Sequence, residues 1–382
     1  MIITSSKRLY GGLWGFILIM GLAGCEGDPT DTSTDVVYES TGEVDMRFDK
    51  FLVEENIAVP KDGVPFLGMV FGISSTQDYL LVRDLTQAPF VTVYDKASLD
   101  SLGKIIPNGK GPGESLNPGK LLPVAGTNTF WLFDGMMQRF QLFDVASALA
   151  MSQSGDSYEP LRDFTLMDSL RGSNDPDIVS DSLFVTPSLT FDDCRFFYFD
   201  PTPHLLRKVG KLPPPQSNWP KQGEKAHFSI AASYYIAKLA THPQKDWVAV
   251  AYVNTDVLEI YKEGTLVRRI QGPEDIEVQK EIREEQRGLY LAQNSQETQT
   301  TYLQVHSTDQ YIFGQYRGKN ADQSRTIFVF DWEGRPIKKL LLDQDFSVCW
   351  IEESKEKTCV LYVALSETGV IVRIPLDIGL HT

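Results

Sequence analysis

Short apolar runs, separated by turn residues, repeat along most of the chain. The runs are rich in Val, Ile, Phe and Tyr, and the turns between them contain Gly and Asp. This alternation is typical of β-hairpins, because branched and aromatic side chains favour strands while Gly and Asp favour turns. Six hairpins are predicted, with paired strands at Tyr79–Asp84 and Phe90–Asp95, Phe130–Asp134 and Phe140–Asp144, Leu183–Leu189 and Phe196–Asp200, Trp247–Val253 and Val257–Lys262, Tyr311–Tyr316 and Thr326–Asp331, and Val360–Leu365 and Gly369–Ile374.

A further short strand follows four of these hairpins. The repeat length of roughly 50–70 residues suits four-stranded blades that carry variable insertions. One blade alone exposes two apolar faces, and stacking against two neighbours buries both. We therefore predict an all-β fold, a six-bladed β-propeller, with a β-sandwich or two packed β domains as the alternative. The further strands are Gly103–Ile106, Leu205–Leu212, Gly264–Ile270 and Gly334–Leu342.

Three segments depart from the repeat. The sixth hairpin lacks a strand, which Arg47–Val53 is expected to supply, so that the two ends of the domain meet. The segment Pro273–Gln293 opens with Pro and acidic residues and is predicted to form a short helical insertion between blades 4 and 5. The polar stretch Ser152–Ser182 is expected to loop over one face.

The first 24 residues have the features of a secretory signal peptide. Two basic residues, Lys7 and Arg8, precede a short apolar run and the small-residue sequence Leu-Ala-Gly, which ends just before Cys25. The apolar run is shorter than the ~20 residues that cross a bilayer. The predicted protein is therefore exported, with its folded part outside the cytoplasm.

The Leu-Ala-Gly-Cys sequence that ends at Cys25 resembles the lipobox of bacterial lipoproteins. In such proteins the signal is cut before the Cys, which is then acylated, so the resemblance implies that a lipid on Cys25 attaches the protein to the membrane. An ordinary cleavage site followed by a chance cysteine is the alternative. The predicted organisation is a signal peptide at residues 1–24, a lipidated Cys and flexible tether at 25–45, and the propeller at 46–382.

Composition and motifs exclude several functions. The chain has 51 acidic and 36 basic residues and a net charge of −15, which opposes nucleic-acid binding. No Cys-x-x-Cys pair, clustered His residues or Gly-x-Ser-x-Gly sequence is present, so no metal, cofactor or catalytic residue is predicted. Asp residues recur at the ends of predicted strands, where a bond to the turn backbone explains them better than catalysis does. These residues are Asp95, Asp144, Asp200 and Asp331.

Cys349 and Cys359 flank a polar stretch that is expected to turn near Ser354. A hairpin centred there would place the two residues opposite each other, within disulfide range. An oxidising exterior would permit the bond, but buried free thiols also pack well in cores. A disulfide and two free thiols therefore stay open as interpretations.

The segment Gly109-Lys110-Gly111-Pro112-Gly113-Glu114 looks like the Gly-x-Gly-Pro-Gly-Glu signature of six-bladed, TolB-like propeller lipoproteins of Bacteroidota. The segments 311–319, 327–336 and 341–343 are similar to the fifth-blade pattern of that family. The resemblance implies an outer-membrane lipoprotein that faces the periplasm or the cell surface, without known catalysis and with largely undefined ligands. Acidic residues soon after the lipobox are compatible with surface export in Bacteroidota.

The glycine-rich segment is interpreted as a structural loop between blades. A phosphate-binding loop would open a helix and end in Lys-Ser/Thr, whereas Pro112 interrupts this run and removes a donor. Gly109, Gly111 and Gly113 allow positive φ angles, and Glu114 is expected to accept backbone hydrogen bonds.

Three residues are candidates for ligand binding. Trp219 lies in a proline-rich loop, and Arg317 and Lys319 form a small basic spot beside a strand end. We expect a lipid-anchored, extracytoplasmic propeller that acts as a binding or scaffold module for a protein or glycan partner. The alternative is an enzyme that cleaves polysaccharide or peptide in the propeller funnel, which a carboxylate cluster at one mouth would favour. A structural subunit of an outer-membrane uptake complex is a third hypothesis.

Overall fold

The computed structural model describes residues 36–37, 45–167, 170, 173–188, 194–211, 230–231, 233–284, 290–319, 324–353 and 358–379. The predicted signal peptide, Cys25 and Trp219 lie outside these residues. No helix of the described part is both long enough and apolar enough to cross a membrane.

Four short strands begin the described chain: β1 (Val36–Val37), β2 (Asp45–Arg47), β3 (Val53–Ile57) and β4 (Val64–Pro65). Blade 1 follows with β5 (Val70–Ser75), β6 (Tyr79–Asp84), β7 (Val91–Asp95) and β8 (Ser101–Ile105). Blade 2 contains β9 (Pro118–Pro123), β10 (Thr129–Asp134), β11 (Arg139–Asp144), the helix α1 (Val145–Ser154) and β12 (Arg162–Thr165). Blade 3 contains β13 (Asp177–Ser180), β14 (Leu183–Pro187), β15 (Phe196–Phe199) and β16 (Leu205–Val209).

Blade 4 consists of β17 (Ala237–Thr241), β18 (Trp247–Tyr252), β19 (Val257–Lys262) and β20 (Thr265–Gln271), and a hairpin of β21 (Lys280–Glu284) and β22 (Tyr290–Asn294) follows it. Blade 5 consists of β23 (Tyr302–Ser307), β24 (Tyr311–Tyr316), β25 (Thr326–Asp331) and β26 (Pro336–Leu342). Blade 6 takes β27 (Phe346–Glu353), β28 (Cys359–Leu365) and β29 (Val370–Leu376) from the end of the chain.

The six antiparallel sheets form a ring around a central channel. The first strand of blade 1, β5, contacts both β9 and β27, and β17 contacts both β13 and β23. The inner strands of the six blades therefore surround the axis, which confirms the predicted six-bladed propeller.

Both faces of each blade are buried against its neighbours, as β10 illustrates. Its side chains alternate between two clusters, with Phe130 and Leu132 packed towards Val91 in blade 1. Trp131 and Phe133 pack on the opposite side, in the cluster that includes residues of blade 3. A run of consecutive apolar residues is therefore required in a strand that has no solvent-facing side.

The N-terminal strands run along the outside of the ring. β1, β2 and β3 pair in parallel with β16, β20 and β26, the outer strands of blades 3, 4 and 5. β4 pairs antiparallel with β29 and so supplies the fourth strand of blade 6. The N-terminus does complete the last blade, but the prediction that Arg47–Val53 does so is wrong, because those residues reach blades 4 and 5.

The predicted helical insertion between blades 4 and 5 is wrong, because β21 and β22 form an antiparallel hairpin there. Ile276 and Val278 are buried, and Ile282 packs against the cluster that contains Val278. Ile276 and Val278 precede β21, and of the three only Ile282 lies in the hairpin. The stretch 152–182 is not one loop either, since it contains the end of α1 and all of β12 and β13.

The cysteines of blade 6 are not opposed. Cys349 pairs with Val363, and Cys359 pairs with Glu353. The two cysteines are thus offset by four residues along the strand, roughly 13 Å, which is beyond disulfide range. Both thiols are free and buried, and the expectation that the two face each other is wrong.

Candidate functional site

A cavity of about 560 Å³ occupies the channel at the end where the inner strands begin. The second strand of each blade ends beside the start of the first, because the two are antiparallel. Residues just after a second strand therefore lie at this mouth, as Arg317 does after β24 and Glu367 does after β28.

Charged side chains of both signs line the cavity, and cations are in excess. Asp345, one of the three carboxylates, is held by Arg325 through two hydrogen bonds of 3.0 and 3.2 Å. The channel is therefore positive within a chain whose net charge is −15. The lining cations are Arg83, Lys120, Lys238 and Arg317, and the lining carboxylates are Asp175, Asp345 and Glu367.

Asp175 is part of the framework between blades. It accepts a hydrogen bond of 3.1 Å from the Leu239 backbone N–H, and its Oδ1 lies 3.5 Å from Lys120 Nζ and 3.9 Å from Lys238 Nζ. Burial raises the pKa of Asp175, but the charges of the two lysines outweigh burial and hold that pKa below its usual value. An ionised carboxylate in this position anchors β17 and is not a free acid or base.

Arg83 is likewise committed to the structure. Its guanidinium donates to the carbonyl oxygens of Pro118 and Gly119 in blade 2, and to that of Phe71 at 2.8 Å. Burial lowers the pKa of Arg83 to about 10, so the group stays charged at neutral pH.

Arg317 differs from these two groups. Its backbone N–H donates to the Thr301 carbonyl at 2.9 Å, which fixes the residue beside the start of β23. Its side chain lines the cavity, and its Nε is buried with no hydrogen-bond partner among the described residues. Arg317 thus offers an uncommitted cation to the channel.

Lys319, the other half of the predicted basic spot, lies outside the cavity lining. The side chain is exposed, and its Nζ donates to the Glu274 carbonyl at 2.8 Å. Its backbone N–H also donates to the Glu274 carboxylate at 2.6 Å. The structure therefore separates Arg317 from Lys319, although only Gly318 lies between them in the sequence.

His306 and Trp350 lie deeper in the channel, with ring centroids 5.1 Å apart in an edge-to-face arrangement. The Trp350 indole N–H donates to Ser75 Oγ at 2.8 Å. Within the described part of the chain, no group hydrogen-bonds to His306 Nε2. Burial, helped by the charge of Lys120, lowers the pKa of His306 to about 4, so this ring is neutral at physiological pH.

The glycine-rich loop links blades 1 and 2 away from the cavity lining. Glu114 accepts a hydrogen bond of 2.7 Å from the Gly111 backbone N–H, and Gly113 donates to the Gln141 side chain at 2.9 Å. Arg139 donates to three carbonyl oxygens of the loop, those of Lys110, Gly111 and Glu114. These bonds hold Gly109–Glu114 on β11 as a structural connection.

The recurring aspartates bind backbone groups of turns. Asp144 Oδ1 accepts from the Ser147 N–H at 2.8 Å and caps α1. Asp331 accepts from the N–H groups of Glu333 and Arg335 at 3.0 and 2.8 Å. Asp95 and Asp200 bind their turns in the same way.

A second cavity of about 830 Å³ lies beside blade 4, under residues 275–280. At its wall the fully buried Glu259 is 2.9 Å from Arg269 and 3.5 Å from Arg195 and accepts hydrogen bonds from Tyr252 and Tyr261 at 2.7 and 2.9 Å. Burial raises the pKa of Glu259, but the two arginines outweigh burial and lower the pKa overall. Two arginines and two tyrosines hold the Glu259 carboxylate, which favours a structural role for this residue.

The central channel presents no free acid–base pair among its described residues. Its buried carboxylate is fixed by lysines, and His306 makes no hydrogen bond to a described carboxylate. In the residues that the structure covers, no group of three or more His, Cys, Asp or Glu side chains is placed to hold a metal ion. The sequence analysis did not identify the channel-lining residues of the inner strands, such as Lys120 and His306. The sequence pattern that could have indicated them is a polar residue within an otherwise apolar run.

The fold and the channel define a six-bladed propeller with a polar, cationic central cavity. Residues 47–354 match the family described as TolB-like 6-blade propeller-like, and the chain belongs to this family. No curated protein matches the chain.

Three solved structures illustrate the fold similarity. A Bacteroides fragilis protein described as exported has 10% sequence identity and a TM-score of 0.50, and the match covers 90% of this chain and 99% of that one. A DUF4221 family member from Bacteroides vulgatus has 9% sequence identity and a TM-score of 0.46, and the match covers 84% of this chain and 95% of that one. The propeller domain of the Myceliophthora thermophila Cps50 (Swd1) protein has 12% sequence identity and a TM-score of 0.45, and the match covers 82% of this chain and 98% of that one. Because its sequence identity is only 10%, the Bacteroides fragilis structure supports the fold of this chain and nothing more.

Proposed function

We propose that this chain is an extracytoplasmic lipoprotein, attached through a lipid on Cys25, whose propeller binds a protein or glycan partner at the mouth of the central channel. The observation that carries the proposal is Arg317, a cation that lines the cavity and whose buried Nε has no partner among the described residues. A buried donor without a partner costs free energy, which a bound acceptor would recover.

Two further observations support the proposal. The family match and the exported Bacteroides protein with the same fold agree with a location outside the cytoplasm. The outer membrane, facing the periplasm or the cell surface, is the location that we propose. The cavity brings together cations and neutral polar groups, and no pair of uncommitted carboxylates is present among its described lining residues, which favours a binding module over a glycan- or peptide-cleaving enzyme.

The anchor is tested by growing the native host with a radiolabelled fatty acid. We expect label on the full chain and its recovery with membranes, and we expect Cys25→Ser to abolish both. A soluble, unlabelled wild-type chain would contradict the lipid anchor.

The binding site is tested by chemical cross-linking and gentle solubilisation of membranes from cells that express wild type, Arg317→Gln or Lys319→Gln. Each variant removes one positive charge, but only Arg317 lines the channel. We expect a stoichiometric protein or glycan to be recovered with wild type and Lys319→Gln and lost with Arg317→Gln. A partner that all three forms retain would place recognition elsewhere, and turnover of a glycan or peptide panel by the purified chain would favour the enzyme alternative.

A further inference from the structure

The central cavity contains two buried polar atoms that no described group satisfies, Nε of Arg317 and Nε2 of His306. The backbone of Arg317 is hydrogen-bonded to Thr301, just before β23, and His306 lies five residues after Thr301. The backbones of Arg317 and His306 are therefore roughly 17 Å apart along the direction of β23. The cavity therefore has a cationic group at its mouth and a neutral ring nitrogen deep inside that can accept a hydrogen bond. A ligand that satisfies both must combine an anionic group with uncharged hydrogen-bonding groups.

From this arrangement we propose that the cavity binds a uronate, a sugar whose ring carries a carboxylate, with Arg317 as the residue that binds the carboxylate. The inference rests on the proposed function, because it names the ligand class of the same site. It assigns the body of the sugar to the polar groups deeper in the channel.

Guanidinium geometry supports a carboxylate at the mouth. The planar fork of Arg can donate two parallel hydrogen bonds to one carboxylate, and such charge-assisted bonds are among the stronger ones in proteins. A sulfate or phosphate ester can accept from the same fork, and a sulfated disaccharide among the titrated probes distinguishes that case from a carboxylate.

The rest of the lining suits a hydroxylated ligand more than a peptide. Neutral polar side chains recur around the cavity. The other ring nitrogen of neutral His306 bonds the Cys349 backbone, which leaves Nε2 to accept from a sugar hydroxyl. Trp350 adds an aromatic surface against which a sugar ring can pack. The neutral polar residues of the lining include Ser74, Asn174, Gln304 and Ser347.

The size of the cavity agrees with a small ligand or the end of a chain. Its volume of about 560 Å³ lies within the usual range of roughly 300–1,000 Å³ for small-molecule sites. The mouth is open, because Ser366 and Glu367 are exposed there, so a longer polysaccharide can extend into solvent.

The test is isothermal titration calorimetry of the full chain in detergent with digalacturonate and with its dimethyl ester. The ester keeps both sugar rings and removes both negative charges, at the cost of two added methyl groups. We expect digalacturonate to bind and the ester to bind at least about tenfold more weakly, because the ester cannot form charge-assisted hydrogen bonds with Arg317. Equal binding of acid and ester would overturn the proposal.

Variants locate the carboxylate. Arg317→Gln should weaken digalacturonate binding at least about tenfold, and Arg317→Lys should weaken it less, because Lys keeps the charge but not the fork. Lys319→Gln, the matched loss of one charge outside the cavity, should stay within about twofold of wild type. If Arg317→Gln binds digalacturonate as tightly as wild type and unfolds thermally like wild type, the uronate proposal is also overturned.

Other probes separate this inference from the proposed function. An acidic peptide and a sulfated disaccharide are titrated in parallel. If either binds in an Arg317-dependent way and the uronate does not, the uronate assignment fails while the binding function stands. If none of the three binds, the uronate assignment fails, and the function is then judged only by the partner recovered from membranes.

Discussion

At the scale of single residues, the glycine-rich loop depends on close approach of its backbone to a neighbouring segment. Gly113 has φ of +71°, and a Cβ there would lie 2.3 Å from the Tyr158 carbonyl oxygen. The conformation and the lack of space both require Gly. The sequence motif is thus explained by packing between the loop and the segment that follows α1.

Gly126 provides a matched control, since its φ is +70° but a Cβ there would meet nothing within 4 Å. We expect Gly126→Ala to lower the free energy of unfolding by about 1 kcal/mol, the cost of the left-handed conformation. Gly113→Ala should cost at least about 2 kcal/mol more, because the backbone must also move. Urea unfolding of both variants measures the difference, and equal values would mean that the loop relaxes freely.

The low pKa of His306 predicts a pH dependence of stability. The folded ring gains a proton only near pH 4, whereas the unfolded ring does so near 6.5. The unfolded state therefore binds more protons between these values, and the free energy of unfolding falls as the pH falls from 6.5 towards 4, by up to about 3 kcal/mol.

His306→Gln should reduce this loss, because Gln does not titrate. The measurement is the free energy of unfolding in urea at pH 7.5 and at pH 4.5, with the exposed His204→Gln as control. The wild type and the control should lose more stability than His306→Gln on acidification. The same loss in all three would show that acidification acts through other groups.

At the scale of elements, the strands that sequence found best are those buried on both faces. The predicted bounds Tyr79–Asp84, Val257–Lys262 and Thr326–Asp331 coincide with β6, β19 and β25. The inner strands were not found, because they line a polar channel. β23 and β17, for example, read Tyr-Leu-Gln-Val-His-Ser and Ala-Lys-Leu-Ala-Thr, so their apolar signal is weak.

The parallel strand β3 carries two acidic residues that contact lysines of β26 in different environments. Glu55 pairs with Lys338 at 2.8 Å, and the Lys338 side chain is only 7% exposed. Glu54 pairs with Lys339 at 3.4 Å, where 53% and 28% of the side chains are exposed. The first pair secures the N-terminal segment to blade 5, whereas water screens the second.

We therefore expect Glu55→Gln to lower the free energy of unfolding by about 1–3 kcal/mol, because it leaves a buried ammonium group without its carboxylate. Glu54→Gln should cost less than about 0.5 kcal/mol. Chemical denaturation of the two variants at low salt gives the comparison. A larger effect for Glu54→Gln would contradict the assigned roles.

At the scale of the whole molecule, ring closure depends on a segment that precedes the first blade. β4 completes blade 6, and β2 and β3 cover the outer edges of blades 4 and 5. Exposed strand edges promote aggregation, so this segment both closes the ring and protects its edges.

A chain that begins at Met69 lacks β1 to β4, whereas one that begins at Asp45 lacks only β1 among the described strands. We expect the melting temperature of the shorter chain to be at least about 10 °C lower than that of wild type, or the shorter chain to aggregate. The melting temperature of the longer chain should be close to that of wild type, because only the shorter chain loses several kcal/mol of edge and core contacts. Differential scanning calorimetry and light scattering compare them. Equal melting temperatures would show that the ring is stable without this closure.

The sequence by itself predicted the fold class and blade number, since six similar apolar hairpins with aspartate-bound turns can bury both faces of each sheet by stacking in a ring. It also marked the Gly109–Glu114 loop and Arg317, because unusual residue types stand out locally. Only the tertiary structure decided that Arg317 enters the channel while Lys319 does not, that Cys349 and Cys359 are offset, and that Val64–Pro65 closes the ring. These outcomes depend on strand register and on contacts between residues far apart in the chain, which local pattern does not encode.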